Sequence, residues 1–259
     1  MSAIIRFEQT GGIARLTLNR PDQGNSIDLD MARMMLQLSI RCDTDSSIRC
    51  VVLTGSGRMF CVGGDIGGFS NAGEKADVYL SELAGIMNLA MSRFARMGKP
   101  LLVLVNGPAA GAGLSIALAG DVVLADRSAH FTSAYTAIGL VPDSGLTWWL
   151  PRAVGMRRAQ EIIATNRRID ADEAAAIGLI TRVADDLDAE GQVVAQSLAS
   201  SATRAIGAAR LLIHESFATS YETQMEREAR AIAAAGVGAE GRAGVAAFLA
   251  KRRPTFQDD

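Results

Sequence analysis

The chain of 259 residues has only two histidines, His130 and His214, and only three cysteines, Cys42, Cys50 and Cys61. So few histidines exclude a multi-histidine metal centre and any mechanism that needs a histidine cluster, and no metal site is expected. An odd cysteine count without CxxC spacing argues against a structural zinc site or a disulfide framework, and it predicts a reducing, cytoplasmic setting. Aromatic residues make up 5% of the chain and the net charge is −2, so the composition offers no attraction to nucleic acid or to an anionic membrane. No apolar run approaches the roughly 18 residues of a membrane span. The first seven residues alternate as a strand does and lack a signal-peptide layout. Neither GxGxxG nor GxxxxGKS/T occurs, which removes two common phosphate-loop signatures.

What is present is an ordinary globular balance, 49% hydrophobic and 21% charged, in a chain long enough for one large domain with a helical appendage. Residues 4–8 and 13–18 read as a hairpin around Thr10-Gly11-Gly12. Helical periodicity over 28–41 puts Leu29, Ala32, Met35, Leu36 and Ser39 on one face, with Asp28 or Ser26 as cap. Residues 49–54 form a strand, 55–74 a glycine- and serine-rich loop, and 76–97 an amphipathic helix ended by Gly98-Lys99-Pro100. A strand at 101–106, a short alanine-rich buried helix at 111–119 and a strand at 121–125 predict a right-handed crossover between parallel strands. A further strand follows at 129–132. Residues 145–200 alternate short helices and brief strands. From about 203 to 250 the pattern is helical only, with a break at Gly236-Val237-Gly238.

Two glycine-rich turns each end an apolar strand: Val62-Gly63-Gly64-Asp65 and Ala110-Gly111-Ala112-Gly113. Small residues leave backbone N–H groups uncovered, and two such groups converging on one point make an oxyanion hole. The plainer reading is close packing of a helix on the sheet. Asp65 reads as a helix cap, and Cys61 as a small buried hydrophobe with no histidine to activate it. A third constellation, Val141-Pro142-Asp143-Ser144-Gly145, leaves two readings of Asp143 open: an N-cap for the next helix, or a carboxylate general base facing an apolar pocket. Tyr135, Trp148 and Trp149 read as core or pocket walls.

Taken in order, Leu18-Asn19-Arg20-Pro21, Phe60 to Ile66, Asn106 to Gly113, Ile138 to Asp143, Leu150 to Gly155 and Phe248 to Pro254 resemble the crotonase family, the enoyl-CoA hydratase/isomerase superfamily, over nearly the whole chain. The resemblance implies an α/β fold: a crotonase-like spiral of ββα units over residues 1–200, then a helical C-terminal trimerisation region over 201–259. It implies an acyl-CoA thioester as substrate and partner, with coenzyme A part of the substrate and no separate cofactor. It also implies a homotrimer or homohexamer.

By motif position, Gly64 and Ala112 supply the N–H groups for the thioester oxygen. Alanine suits a family glycine position there only if its φ is negative. Asp65, Ile66 and Gly67 fall on the stretch that lies along CoA, while Phe248 and Lys251 match tail residues that reach the nucleotide across a subunit boundary. The segment 67–97 corresponds to the acyl side, and Tyr135, with Trp148, would shape the acyl pocket. Family hydratases hold a water between two glutamates, and the matching positions here are Ser115 and Tyr135, neither of which is a carboxylate. Asp143 then becomes the catalytic candidate, and a proton-shuttling double-bond isomerase is the expected activity. Three alternatives stay open: an enoyl-CoA hydratase using Asp143 with a water, an aryl-CoA dehalogenase-like hydrolase, and a catalytically silent acyl-CoA-binding protein.

Overall fold

The computed structural model describes residues 3–256. Its strands are β1 Ile5–Thr10, β2 Ile13–Leu18, β3 Cys50–Gly55, β4 Leu101–Val105, β5 Ala109–Ala110, β6 Val122–Asp126, β7 His130–Thr132, β8 Ile169–Asp170 and β9 Arg182–Ala184. The β1–β2 hairpin is antiparallel, in register from Ile5 opposite Leu18 to Thr10 opposite Ile13. The remaining pairings of the larger sheet are parallel, in the order β1-β2-β3-β4-β6-β9.

Strands buried on both faces read as continuous apolar runs, and β3 and β4 show why. Successive side chains alternate sides. Val51, Leu53, Val103 and Val105 face the main core, with Leu16, Met31 and Met35. Cys50, Val52, Leu102 and Leu104 face a second apolar layer that includes Ala195 and Ala199. All three cysteines are buried, and burial pushes each thiol up to about 12.

The helices are α1 Leu29–Thr44, α2 Ile66–Asn71, α3 Ala76–Arg96, α4 Ala112–Leu118, α5 Leu146–Val154, α6 Met156–Thr165, α7 Ala171–Ala176, α8 Leu187–Ser200, α9 Thr203–Ser216, α10 Tyr221–Val237 and α11 Ala239–Leu249. The chain climbs by repetition of long strand, short strand and helix. One turn is β4, β5, α4, and the next is β6, β7, α5. In the turn before them, a single parallel bridge from Cys61 to Ala109 stands where the short strand would be. The short strands stack as a second sheet, β5-β7-β8. This is the spiral of ββα units expected from the resemblance.

Asp28 caps α1 by accepting the Met31 N–H at 2.8 Å. The buried stripe of α1 is Met31, Ala32, Met35, Leu38, Ser39 and Cys42. It differs from the expected face because the helix runs on to Thr44, and the stripe follows that longer axis, leaving Leu29 and Leu36 half-buried. The segment expected as a loop at 55–74 contains α2, nucleated where the Asp65 carboxylate accepts the N–H groups of Gly67 and Gly68.

After β9 the chain is helical. The break expected near Gly236–Gly238 is a 73° bend between α10 and α11, and a second break falls at residues 217–220. Among the described residues, no single helix is long and apolar enough to cross a membrane.

Candidate active site

The two glycine turns meet. The Cys61–Ala109 bridge ties their strands together, and the Ala110 N–H donates to the Cys61 carbonyl at 2.9 Å. Gly63 lies at φ +100°, and a Cβ there would sit 3.0 Å from the Ala110 carbonyl oxygen and 3.3 Å from the Ala112 nitrogen. A Cβ on Gly113 would lie 2.0 Å from the Cys61 carbonyl oxygen, so only glycine lets α4 approach this closely. Gly111, at φ +54°, turns the chain into α4. Ala112 follows as the first helical residue, and its φ is negative. That meets the condition under which alanine can stand at this position. Neither the Gly64 nor the Ala112 N–H donates a hydrogen bond within the described chain. For Ala112 this follows from its place in the first helical turn, where N–H groups have no intrahelical partner.

Asp143 does not cap α5. Ser144 at φ +52° and Gly145 at φ +85° are consecutive left-handed residues, and they carry the chain into the helix with Gly145 at the cap position and no side-chain cap. The Asp143 backbone carbonyl accepts the Leu146 N–H at 3.0 Å. Its carboxylate is thereby released to the other side, where the Tyr135 hydroxyl donates to Oδ1 at 2.6 Å. Ser115, fully buried in α4, donates its hydroxyl to the Asp143 carbonyl at 3.2 Å. Ser115 and Tyr135 thus both hydrogen-bond to Asp143, one at its backbone and one at its carboxylate. Burial, and then the charge of Asp143, push the Tyr135 phenol well above the ordinary tyrosine range, so Tyr135 is a neutral donor at any working pH.

These groups open on one cavity of about 390 Å³. Gly64, Ala112, Asp65, Ile66, Tyr135 and Asp143 all line it. Phe69, Leu80, Leu83, Ala84, Met87 and Val141 supply apolar wall. The α3 members of that wall were not singled out individually from sequence, although their spacing of three to four residues was a readable helical stripe. Asp65 is already engaged: besides capping α2 it meets Arg20 at 3.4 Å, and Arg20 also pairs with Asp28 at 2.9 Å.

Gly67, Phe248 and Lys251, expected along CoA, do not line this cavity. Gly67 is in the first turn of α2, its N–H spent on Asp65 at 3.0 Å. Phe248 is 82% exposed near the end of α11, and Lys251 follows that helix at φ +52°; neither lines the cavity. Trp148 is a correction. It faces away from the acyl cavity into a second one of about 790 Å³, which it lines with Trp149 and His214. The Trp148 and Trp149 rings meet edge to face at 4.5 Å, and Trp149 meets His214 at 5.0 Å.

Among the described residues no group of three or more His, Cys, Asp or Glu is placed to hold a metal ion.

The family model described as enoyl-CoA hydratase/isomerase matches residues 8–259. The chain is 38% identical over 249 residues to a 1,2-epoxyphenylacetyl-CoA isomerase of Escherichia coli (strain K12), covering 95% of both proteins. It is 39% identical over 259 residues to a probable enoyl-CoA hydratase of Rhodobacter capsulatus, covering 97% of both. The crystal structure of an enoyl-CoA hydratase from Polaromonas sp. JS666 superposes with a TM-score of 0.93 at 29% identity, over 98% of this chain and 99% of that one.

Proposed function

The chain belongs to the enoyl-CoA hydratase/isomerase family, and on that premise we propose that it is a proton-shuttling isomerase of acyl-CoA thioesters. The observation that carries this reading is the Tyr135–Asp143 pair at 2.6 Å, on the wall of the cavity that the free Gly64 and Ala112 N–H groups also line. The thioester oxygen accepts from those two donors. Asp143 removes a proton from a carbon of the acyl chain, and the electron pair moves onto the thioester oxygen as an enolate. The two N–H groups stabilise that charge more than they stabilise the neutral carbonyl, which is the condition for catalysis. The protonated Asp143 returns its proton to a different carbon, so the double bond moves and no water is consumed.

Two facts favour this over hydration. A hydratase places two carboxylates around one water, whereas Ser115 and Tyr135 spend their hydroxyls on Asp143. The other cavity carboxylate, Asp65, is held by Arg20 and by α2.

The C-terminal helices fit an assembly role. No residue of α10 is buried, and Met225, Ile232, Val237, Phe248 and Leu249 are exposed across α10 and α11. In a homotrimer these side chains would be covered, and Phe248 and Lys251 would reach the CoA of a neighbouring subunit.

The deciding experiment is hydrogen exchange from deuterated water into a panel of enoyl-CoA esters, read by mass. The expected result is exchange with an isomerised product and no 3-hydroxyacyl-CoA. Asp143→Asn should abolish exchange while ester binding survives. Unchanged exchange in that variant would sink the assignment.

A further inference from the structure

Ser144 bears two local costs that its neighbours avoid. It sits at φ +52°, a conformation that L side chains seldom adopt, next to Gly145, which meets the same demand with glycine. It is also 1% exposed, and its buried hydroxyl has no hydrogen-bond partner among the described residues. Glycine at this position would remove both costs. The hydroxyl is therefore the one thing that serine contributes there, and buried polar groups without partners are rare enough to demand an explanation.

Its position supplies one. Ser144 is a wall residue of the catalytic cavity and also of the cavity lined by Trp148, Trp149 and His214. It follows Asp143 directly in the chain, on the same cavity wall. The other polar side chains of the catalytic cavity are committed: Tyr135 donates to Asp143, and Asp65 is held by Arg20 and α2. Ser144 is the uncommitted O–H donor of that wall.

We propose that the Ser144 hydroxyl is a specificity-determining hydrogen-bond donor to an oxygen borne by the acyl chain, beyond the carbon that Asp143 deprotonates. The substrate class is then an acyl-CoA with an oxygen function on its chain, rather than a plain hydrocarbon acyl-CoA. The proposal rests on the placement of the thioester at Gly64 and Ala112 given above. A site built to hydrogen-bond a substrate oxygen discriminates strongly against the analogue that lacks it, because the buried donor is left unpaired.

The test is equilibrium binding, so that it does not depend on turnover. The probes are hexanoyl-CoA and its 3-oxo, 4-oxo and 5-oxo derivatives, with affinity read by calorimetry for the wild type and Ser144→Gly. Glycine keeps the left-handed backbone, so the variant should melt no lower than the wild type. At least one oxo ester should bind the variant about tenfold more weakly, while hexanoyl-CoA changes by less than about twofold. Equal weakening of all the esters, or no weakening of any, overturns the proposal. The isomerase reading fails separately, if the wild type exchanges no substrate hydrogen with solvent, and that result leaves the binding comparison to decide Ser144 by itself.

Discussion

Replacing Tyr135 by phenylalanine removes a single oxygen and leaves the half-buried ring in the cavity wall. The lost contact is short, 2.6 Å, and its acceptor is a carboxylate. Hydrogen bonds to charged groups contribute about 1.5–3 kcal/mol. On the proposed mechanism the bond orients Asp143 toward a proton on the substrate, so its loss should fall on the chemical step. At about 1.4 kcal/mol per factor of ten, kcat should drop roughly 10- to 150-fold. KM should stay nearly constant, because on the same mechanism the thioester oxygen is held by backbone donors and the ring still fills its place. The assay is solvent deuterium exchange at saturating ester, with thermal melting to verify the fold. A double-mutant cycle with Asp143→Asn sharpens it: once the carboxylate is gone, Tyr135→Phe should cost little more. A variant with wild-type kcat, or one whose whole defect lies in KM, would refute the positioning role and reduce Tyr135 to a wall residue.

The two neighbouring glycines should respond differently to a methyl group. Gly63→Ala forces a side chain to φ +100° and 3.0 Å from the Ala110 carbonyl, so a fall in melting temperature of roughly 5–10 °C is expected. A Cβ on Gly64 meets nothing within 4 Å, so Gly64→Ala should melt like the wild type. Ala112→Pro removes one N–H at the first helical position, where proline is tolerated. It should lower kcat by about 100- to 1,000-fold without unfolding the protein, and a loss below tenfold would deny Ala112 its donor role. Alkaline stability follows from the three buried thiols, each held up to about 12 in the folded chain. The unfolded chain releases those protons near pH 9 and the folded chain keeps them, so this stability is present below pH 9 and lost as the pH rises toward 12. The slope is roughly 1.4 kcal/mol per thiol per pH unit. Urea midpoints that do not fall between pH 8 and 10.5 would contradict it.

Much of this fold was legible because its signals are local and periodic. The alternation in β3 and β4, the small-residue turns and the Gly98-Lys99-Pro100 stop each act within a few residues. The order of motifs then pointed to the two glycine turns and Asp143, which the structure brings to one cavity. Other features depend on distances that a linear reading does not contain. Helix α2 exists because one carboxylate, Asp65, gathers two glycine N–H groups in a stretch whose composition signals a loop. The choice between cap and base at Asp143 turns on the φ angle of Ser144, and serine rarely advertises a left-handed backbone. Trp148 lines the second cavity and not the acyl pocket expected for it.

The union of the two glycine turns uses main chain alone: one bridge between Cys61 and Ala109, and contacts that tolerate no Cβ. Under the proposed function, the charge-stabilising part of the site is therefore insulated from the part that would select the acyl group, which consists of the side chains of α2, α3 and the 138–144 loop. Drift in Phe69, Leu80, Leu83, Met87 or Val141 can reshape what the cavity admits without displacing either N–H. A lineage built on this plan can exchange one substrate for another through single substitutions, each of which leaves a working electrophile clamp behind. For an engineer, the α3 wall is the place to randomise, and the two turns are the place to leave untouched.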